Sequence, residues 1–191
     1  MNLILASQSP RRKELMGLFG QPFRICVADI DETMDPLKPP YDEVARVSRA
    51  KALAVAREPE DVVVAADTIV VCCGKMLGKP RTEAEAVQML SMLSGRDHQV
   101  MTGVCVVKGD LVETFTEVTD LHFRELSPGE IQRYVDSKEP MDKAGAYGIQ
   151  GGAALFCEKM EGDYYNVMGL PVCHLGQVLR RIAPEWTGDT Q

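Results

Sequence analysis

The pattern of the chain predicts an α/β protein with a mixed sheet. Short apolar strand-type runs alternate with amphipathic helical patterns along most of its 191 residues. Several helical patterns carry start signals. One pair of strand runs, 100–107 and 111 onward, is separated by Lys108-Gly109-Asp110, which reads as a hairpin turn. The length suits one sizeable domain or two compact lobes.

Each element has a local reason. Leu3, Ile4 and Leu5 have the unbroken apolar character of a buried strand, predicted over 3–6. A helix follows over 11–18, with Pro10 at the first helical position, where its missing N–H costs nothing. A second strand is expected at 23–27, then a loop at 34–40 with three prolines. The helix predicted over 41–58 faces the core through Val44, Val47, Ala54 and Val55. Strands are expected at 62–66 and 69–72, interrupted by Asp67-Thr68. Thr82, followed by Glu83 and Glu85, opens a helix over 83–93 with acids in its first turn. Strands at 99–107 and 111–123 come next. Ser127-Pro128-Gly129-Glu130 reads as an N-cap, a proline at N1 and a glutamate at N3, opening a helix to 137. A strand at 154–159 and a helix at 170–182 complete a domain of 1–182. The polar stretch 183–191 is expected to fray.

Composition narrows the function classes. Hydrophobic content is 45%, charged content 26% and net charge −7. A protein that binds nucleic-acid backbones would carry a basic excess, so nucleic acid is not an expected partner. No run approaches the twenty or so apolar residues of a membrane span, and the start lacks a signal peptide's pattern. The six scattered cysteines include no C-x-x-C pair, and the three histidines lie far apart. Buried free thiols in a reducing cytoplasm fit better than disulfides or zinc.

Three clusters carry chemistry. In the first, Ser7, Ser9, Arg11 and Arg12 gather around the start of the first helix. Cations disfavour that end of the helix dipole, and an anion there would resolve the conflict. Hydroxyls, backbone N–H groups and guanidinium forks then make a polyphosphate site; solvated surface arginines are the plainer reading. In the second, Asp67 and Thr68 interrupt an apolar run. An unpaired carboxylate inside a buried strand is very costly, so Asp67 is expected at a strand end or bulge, or holding a cation. It reads as an Asx-turn at a corner, or as a metal ligand or general base. Glu32 is a second carboxylate candidate, and such oxygen ligands suit magnesium or manganese. Lys51 and Lys79 stand out by position, although a solvated lysine is the plainer reading of each. In the third cluster, residues 142–153, small residues and glycines frame an Asp-Lys pair, Tyr147 and Gln150. This reads as a pocket wall, with Gln150 offering one acceptor and two donors to an amide-like ligand edge.

Taken in order, the segment from Ser7 to Leu15, Ala66-Asp67-Thr68, Gly78-Lys79-Pro80, Ser94-Gly95-Arg96 with His98, Thr102-Gly103-Val104, the Asp142 to Gly151 run and Tyr165 to Pro171 resemble the Maf family of nucleoside triphosphate pyrophosphatases. The likeness runs from about residue 1 to residue 180, and the 142–151 run is similar to the subgroup that hydrolyses dTTP and UTP. The resemblance implies a single chain of two lobes around a central mixed twisted sheet with an elongated cleft, an inosine-triphosphatase-like fold. It implies hydrolysis of a nucleoside triphosphate to monophosphate and pyrophosphate with Mg2+ or Mn2+, in a cytoplasmic housecleaning role. It also leaves room for a homodimer.

Carried over by position, Asp67 matches the family's proton acceptor; a metal would be held by Asp67 and Glu32. Arg12, Thr68 and Gln150 match positions tied to substrate choice. Ser7, Arg11, Glu32, Lys51 and Lys79 match polar positions lining the cleft. Arg11, Lys51 and Lys79 would hold the phosphate chain, and Gln150 would read a pyrimidine. Two alternatives from other classes are a nucleotide-binding regulator of septum formation and a phosphomonoesterase.

Overall fold

The structure is a computed structural model and describes residues 2–27, 29–56 and 58–184. Its elements in chain order are β1 (Leu3–Leu5), α1 (Pro10–Gly17), β2 (Phe23–Ile25), α2 (Pro40–Val55), β3 (Val62–Cys72), β4 (Lys75–Leu77), α3 (Glu83–Leu93), β5 (Asp97–Lys108), β6 (Leu111–Phe123), α4 (Pro128–Asp136), β7 (Cys157–Glu161), α5 (Tyr164–Met168) and α6 (Val172–Ile182). Among the described residues the seven strands form one sheet in the order β2-β1-β3-β5-β6-β7, with β4 paired to β3. The sheet is mixed. β1 pairs in parallel with β2 and with β3, whereas β3–β4 and β6–β7 are antiparallel. The predicted α/β class with a mixed sheet is the observed one.

The start signals act as read. Pro10 opens α1 behind Ser9, whose hydroxyl accepts the Arg12 N–H. Thr82 caps α3 through the Glu85 N–H. Ser127 and Glu130 complete the reciprocal capping box of α4. The differences have physical causes. Residues 62–66 and 69–72 form one continuous strand, not two. β4 is too short to show a period, and its turn holds Cys73 and Gly74 at φ 50° and 72°, the left-handed pair a tight hairpin uses. The run at 154–159 is apolar at its start but not β-forming. Gly152–Leu155 takes a 3-10 turn, and the strand begins only at Cys157. Helix α2 buries Ala52 and leaves Ala54 exposed. Of the expected tail at 183–191, Ala183 is buried and still bonds the Leu179 carbonyl at 2.7 Å. Residues 185–191 lie outside the described residues.

The chain divides into two compact units, and β3, β5 and β6 contribute residues to both. Unit 1 comprises Met1–Asp67, Thr102–Glu117 and Gly169–Gln191. Its core sets Ile4, Val63, Ala65, Cys105 and Val107 of the sheet, with Ala6 just after β1, against Ala52 and Val55 of α2. The backbones of β5 and α2 come so close that a Cβ on Gly103 would lie 2.6 Å from the Val44 carbonyl carbon. Unit 2 comprises Thr68–Met101 and Val118–Met168. There α3 packs on α4. Phe123 sits within 6.0 Å of the ring centres of His98, Tyr147 and Phe156. Asn166, fully buried, donates to Val100 O (3.1 Å) and Thr119 Oγ1 (2.9 Å).

The contrast between two glycines tests this packing. Gly103→Ala forces a methyl into the α2 backbone and is expected to lower the unfolding free energy by roughly 1–3 kcal/mol. Gly176 lies inside α6, where a Cβ meets Phe19 at an ordinary 3.5 Å. Gly176→Ala should therefore stabilise by about 0.5–1 kcal/mol. Urea titrations that rank the two variants alike would contradict the β5–α2 contact.

Candidate active site

The predicted site residues fall into two sets, one on each unit. On unit 1, the chain leaves β1 into α1, which has no acid in its first turn. Ser7, buried, accepts the Ser9 N–H at 3.2 Å and the Arg12 Nη1 at 3.3 Å. Arg12 Nε donates to the Gly169 carbonyl at 2.8 Å, which ties α1 to the approach of α6. Burial lowers the Arg12 pKa, against the opposing pull of the Asp67 carboxylate; Arg11 lowers it further. A desolvated guanidinium behind a second arginine and a helix N-terminus is a setting that favours an anion.

Asp67 is not at a strand end. It stands inside the eleven-residue strand β3, which continues to Cys72. What makes this tolerable is Lys51 of α2, whose Nζ lies 2.7 Å from Asp67 Oδ1 and 2.8 Å from Glu32 Oε2. The Lys51 and Asp67 side chains are 13% and 14% exposed, whereas Glu32 is 58% exposed. The cation that the buried carboxylate requires is thus an ammonium on the neighbouring helix. The sequence expectation that Lys51 addresses phosphates omitted this second partnership.

The same geometry bears on a divalent cation. Glu32 and Asp67 converge on one Nζ, so their oxygens face a shared point. Among the described residues no group of three or more histidine, cysteine or carboxylate side chains could hold a metal. Two hard carboxylates match an ion that keeps waters and takes its remaining oxygens from substrate phosphates, as magnesium and manganese do. A soft or structural metal would need more protein ligands.

On unit 2, Thr68 is half-buried in β3, Lys79 is exposed after β4, and Gln150 is exposed in the glycine-rich turn. The backbone ties the last two regions together, because Gly145 N–H donates to the Gly78 carbonyl at 3.0 Å. The Asp-Lys pair is formed: Lys143 Nζ reaches Asp142 Oδ1 at 2.7 Å and the Glu139 carbonyl at 2.6 Å. Two residues that the sequence reading passed over hold the turn. Tyr134 Oη donates to Glu139 Oε1 (2.9 Å) and accepts the Gly148 N–H (3.0 Å). Glu139 Oε2 accepts the Gly152 N–H (3.2 Å). Neither residue sits in a recognisable motif with its partners, so no local signal marked them. Behind this wall, His98 is 3% exposed, with Nε2 3.0 Å from Tyr147 Oη.

A family model described as "Maf-like protein" matches residues 2–182. The chain belongs to the Maf family. It is 49% identical over 180 residues to the dTTP/UTP pyrophosphatase of Bacillus cereus (strain AH820), covering 94% of each chain. It is 48% identical to the dTTP/UTP pyrophosphatase of Bacillus anthracis, again over 94% of both. Among solved structures, the HAM1 protein from Coxiella burnetii superposes with a TM-score of 0.52 at 16% identity, covering 95% of this chain and 99% of the other. That likeness concerns the fold alone, and agrees with the inosine-triphosphatase-like architecture expected of a Maf chain.

His98 gives the Maf wall a pH signature. Burial pushes its pKa from 6.5 down to about 4. The folded state therefore resists a proton that the unfolded chain accepts, and stability is full above pH 6.5 and falls as pH drops towards 4. The loss is expected to be about 2–3 kcal/mol by linkage. His98→Phe should flatten this part of the stability profile; an unchanged slope between pH 6.5 and 4 would remove His98 as its source.

Proposed function

We propose that this Maf chain hydrolyses dTTP and UTP to the nucleoside monophosphate and pyrophosphate. The observation that carries the reading is the Asp67–Lys51–Glu32 cluster on the unit that also bears the Ser7, Arg11 and Arg12 group. It stands in a chain 49% identical to a dTTP/UTP pyrophosphatase. Carboxylates for a cation and a proton, beside cationic groups for phosphate oxygens, are what an anhydride cleavage needs.

In this reading Arg11 orients the phosphate chain by charge-assisted hydrogen bonds at the α1 N-terminus, and Arg12 beside it serves substrate choice. Asp67 takes the proton of the attacking water. Lys51 holds that carboxylate in place, and its ammonium is available to phosphate oxygens as substrate arrives. Asp67 and Glu32 are the residues that would hold Mg2+ or Mn2+, which when bound supplies Lewis acidity and charge neutralisation. On unit 2, Lys79 addresses phosphate charge, and Thr68 and Gln150 serve substrate choice. Gln150 pairs with the carbonyl and N–H pattern of uracil or thymine. The six cysteines are free thiols, which suits a reducing cytoplasm. Among the described residues no helix is long and apolar enough to cross a membrane.

Two measurements test the proposal. Purified protein given UTP or dTTP with magnesium or manganese should release pyrophosphate; release of orthophosphate would point to a phosphomonoesterase. Asp67→Asn should lower kcat by on the order of 10²–10⁴-fold while nucleotide affinity persists, because the amide keeps the shape but loses basicity and charge. A near-normal rate in that variant would exclude Asp67 from the proton transfer.

A further inference from the structure

Gln150 stands exposed in a turn of glycines, a poor platform for a residue that must discriminate between bases. A side chain that reads a base edge has to be held within about 0.5 Å of its productive position. Glycines on both sides favour the opposite, since they lose the most backbone freedom on ordering. The turn is nevertheless pinned on both flanks of Gln150. Two residues before it, the Gly148 N–H is held by Tyr134 Oη; two residues after it, the Gly152 N–H is held by Glu139 Oε2.

The two anchors are themselves one unit. The Tyr134 hydroxyl donates to Glu139 Oε1, so its proton is committed and its lone pair is left to face Gly148. Tyr134 is 7% exposed, and burial first, then Glu139, keeps its hydroxyl protonated. Glu139 is aimed back at Tyr134 by a reversal after α4, where Lys138 adopts φ 64° and ψ −1°. A lysine in the left-handed region is strained, and the surroundings sustain it. Ser137 Oγ accepts the Glu139 N–H at 3.3 Å, Lys138 pairs with Glu83, and Lys143 holds the Glu139 carbonyl. Gly151 completes the fit, because a Cβ there would lie 2.5 Å from Glu139 Cδ.

We propose that Tyr134 and Glu139 are positioning residues that set pyrimidine selectivity, by fixing the 148–152 turn that presents Gln150. The proposal rests on the assignment of Gln150 as the base reader. Glutamate at 139 is required by its chemistry. Its two oxygens serve two separate donors, Tyr134 Oη and Gly152 N–H. A glutamine has one acceptor oxygen and would turn its NH2 group toward the other donor. Tyr134→Phe removes both bonds of the hydroxyl while keeping the ring against Phe156, at 5.2 Å between centroids.

The test compares kcat/KM for UTP, CTP and GTP in wild type, Tyr134→Phe, Glu139→Gln, Gln150→Ala and Tyr134→Phe with Gln150→Ala. Amide exchange at Gly148 and Gly152 is followed in parallel, and melting temperatures confirm that each variant folds. Tyr134→Phe and Glu139→Gln are expected to narrow the advantage of UTP over CTP and GTP by about tenfold and to speed exchange at the anchored amides. Once Gln150 is gone, Tyr134→Phe should leave the ratio where Gln150→Ala put it. A merely structural clamp would lower all three rates by one factor, and that result overturns the proposal. If Gln150→Ala shifts the ratio but the two anchor variants do not, positioning fails and the reader stands. If Gln150→Ala leaves the ratio unchanged, the base-reading assignment fails and the positioning role falls with it. If Glu139→Gln does not fold, Tyr134→Phe alone decides.

Discussion

A carboxylate inside a β-strand is the constraint around which this Maf chain is arranged. Asp67 sits with Val62 to Ala66 fully buried before it and Ile69 and Val70 buried after it. Desolvating a charge on that scale is tolerated only with a partner, and the partner is Lys51. The lysine comes from the fourth turn of α2, a helix otherwise locked to the sheet by Val44, Val47, Ala52 and Val55. The helix is held at that distance by the absence of a side chain on Gly103. Packing thus delivers the ammonium to the carboxylate, and Lys51 in turn brings Glu32 in from its loop. A core contact, an ion pair and the proposed chemical step are one arrangement.

How much of this was legible depends on the range of the interaction. Caps are local, so Ser9, Thr82 and the Ser127–Glu130 box were readable from spacing alone. The alternation of apolar runs revealed the α/β class and most strand positions. The expectation for Asp67 was half right. The need for a cation followed from composition, but the strand does not break, because Lys51 lies sixteen residues earlier on a helix whose placement is a tertiary fact. The apolar start of the 154–159 run misled for a different reason: hydrophobicity marked burial, while the 3-10 turn that begins at Gly152 runs through Ala154 and Leu155.

The glycine-rich segment shows the same division. Its composition marked a wall, and Gln150 was its evident polar reader. The residues that give the wall a shape, Tyr134 and Glu139, come from α4 and the reversal after it, and hydrogen bonds across 13 and 14 positions leave no periodic trace. Below it, His98, Tyr147 and Phe123 form an aromatic layer in which polar groups serve order; His98 is held there uncharged by burial. Conformational freedom at the glycines and rigidity at their neighbours are compatible because each amide that matters has a fixed acceptor.

The dependence of the site on Lys51 is open to a stability cycle. Urea unfolding of wild type, Lys51→Met, Asp67→Asn and the double variant gives the coupling between the two side chains without reference to turnover. Removing Lys51 alone strands a largely buried carboxylate and is predicted to cost roughly 1–3 kcal/mol, reduced from the fully buried case by the residual exposure of the pair. Asp67→Asn in that background is predicted to restore part of the loss, so the two changes are strongly non-additive. Effects that add to within about 0.5 kcal/mol would mean that the residues act independently, and would contradict the account.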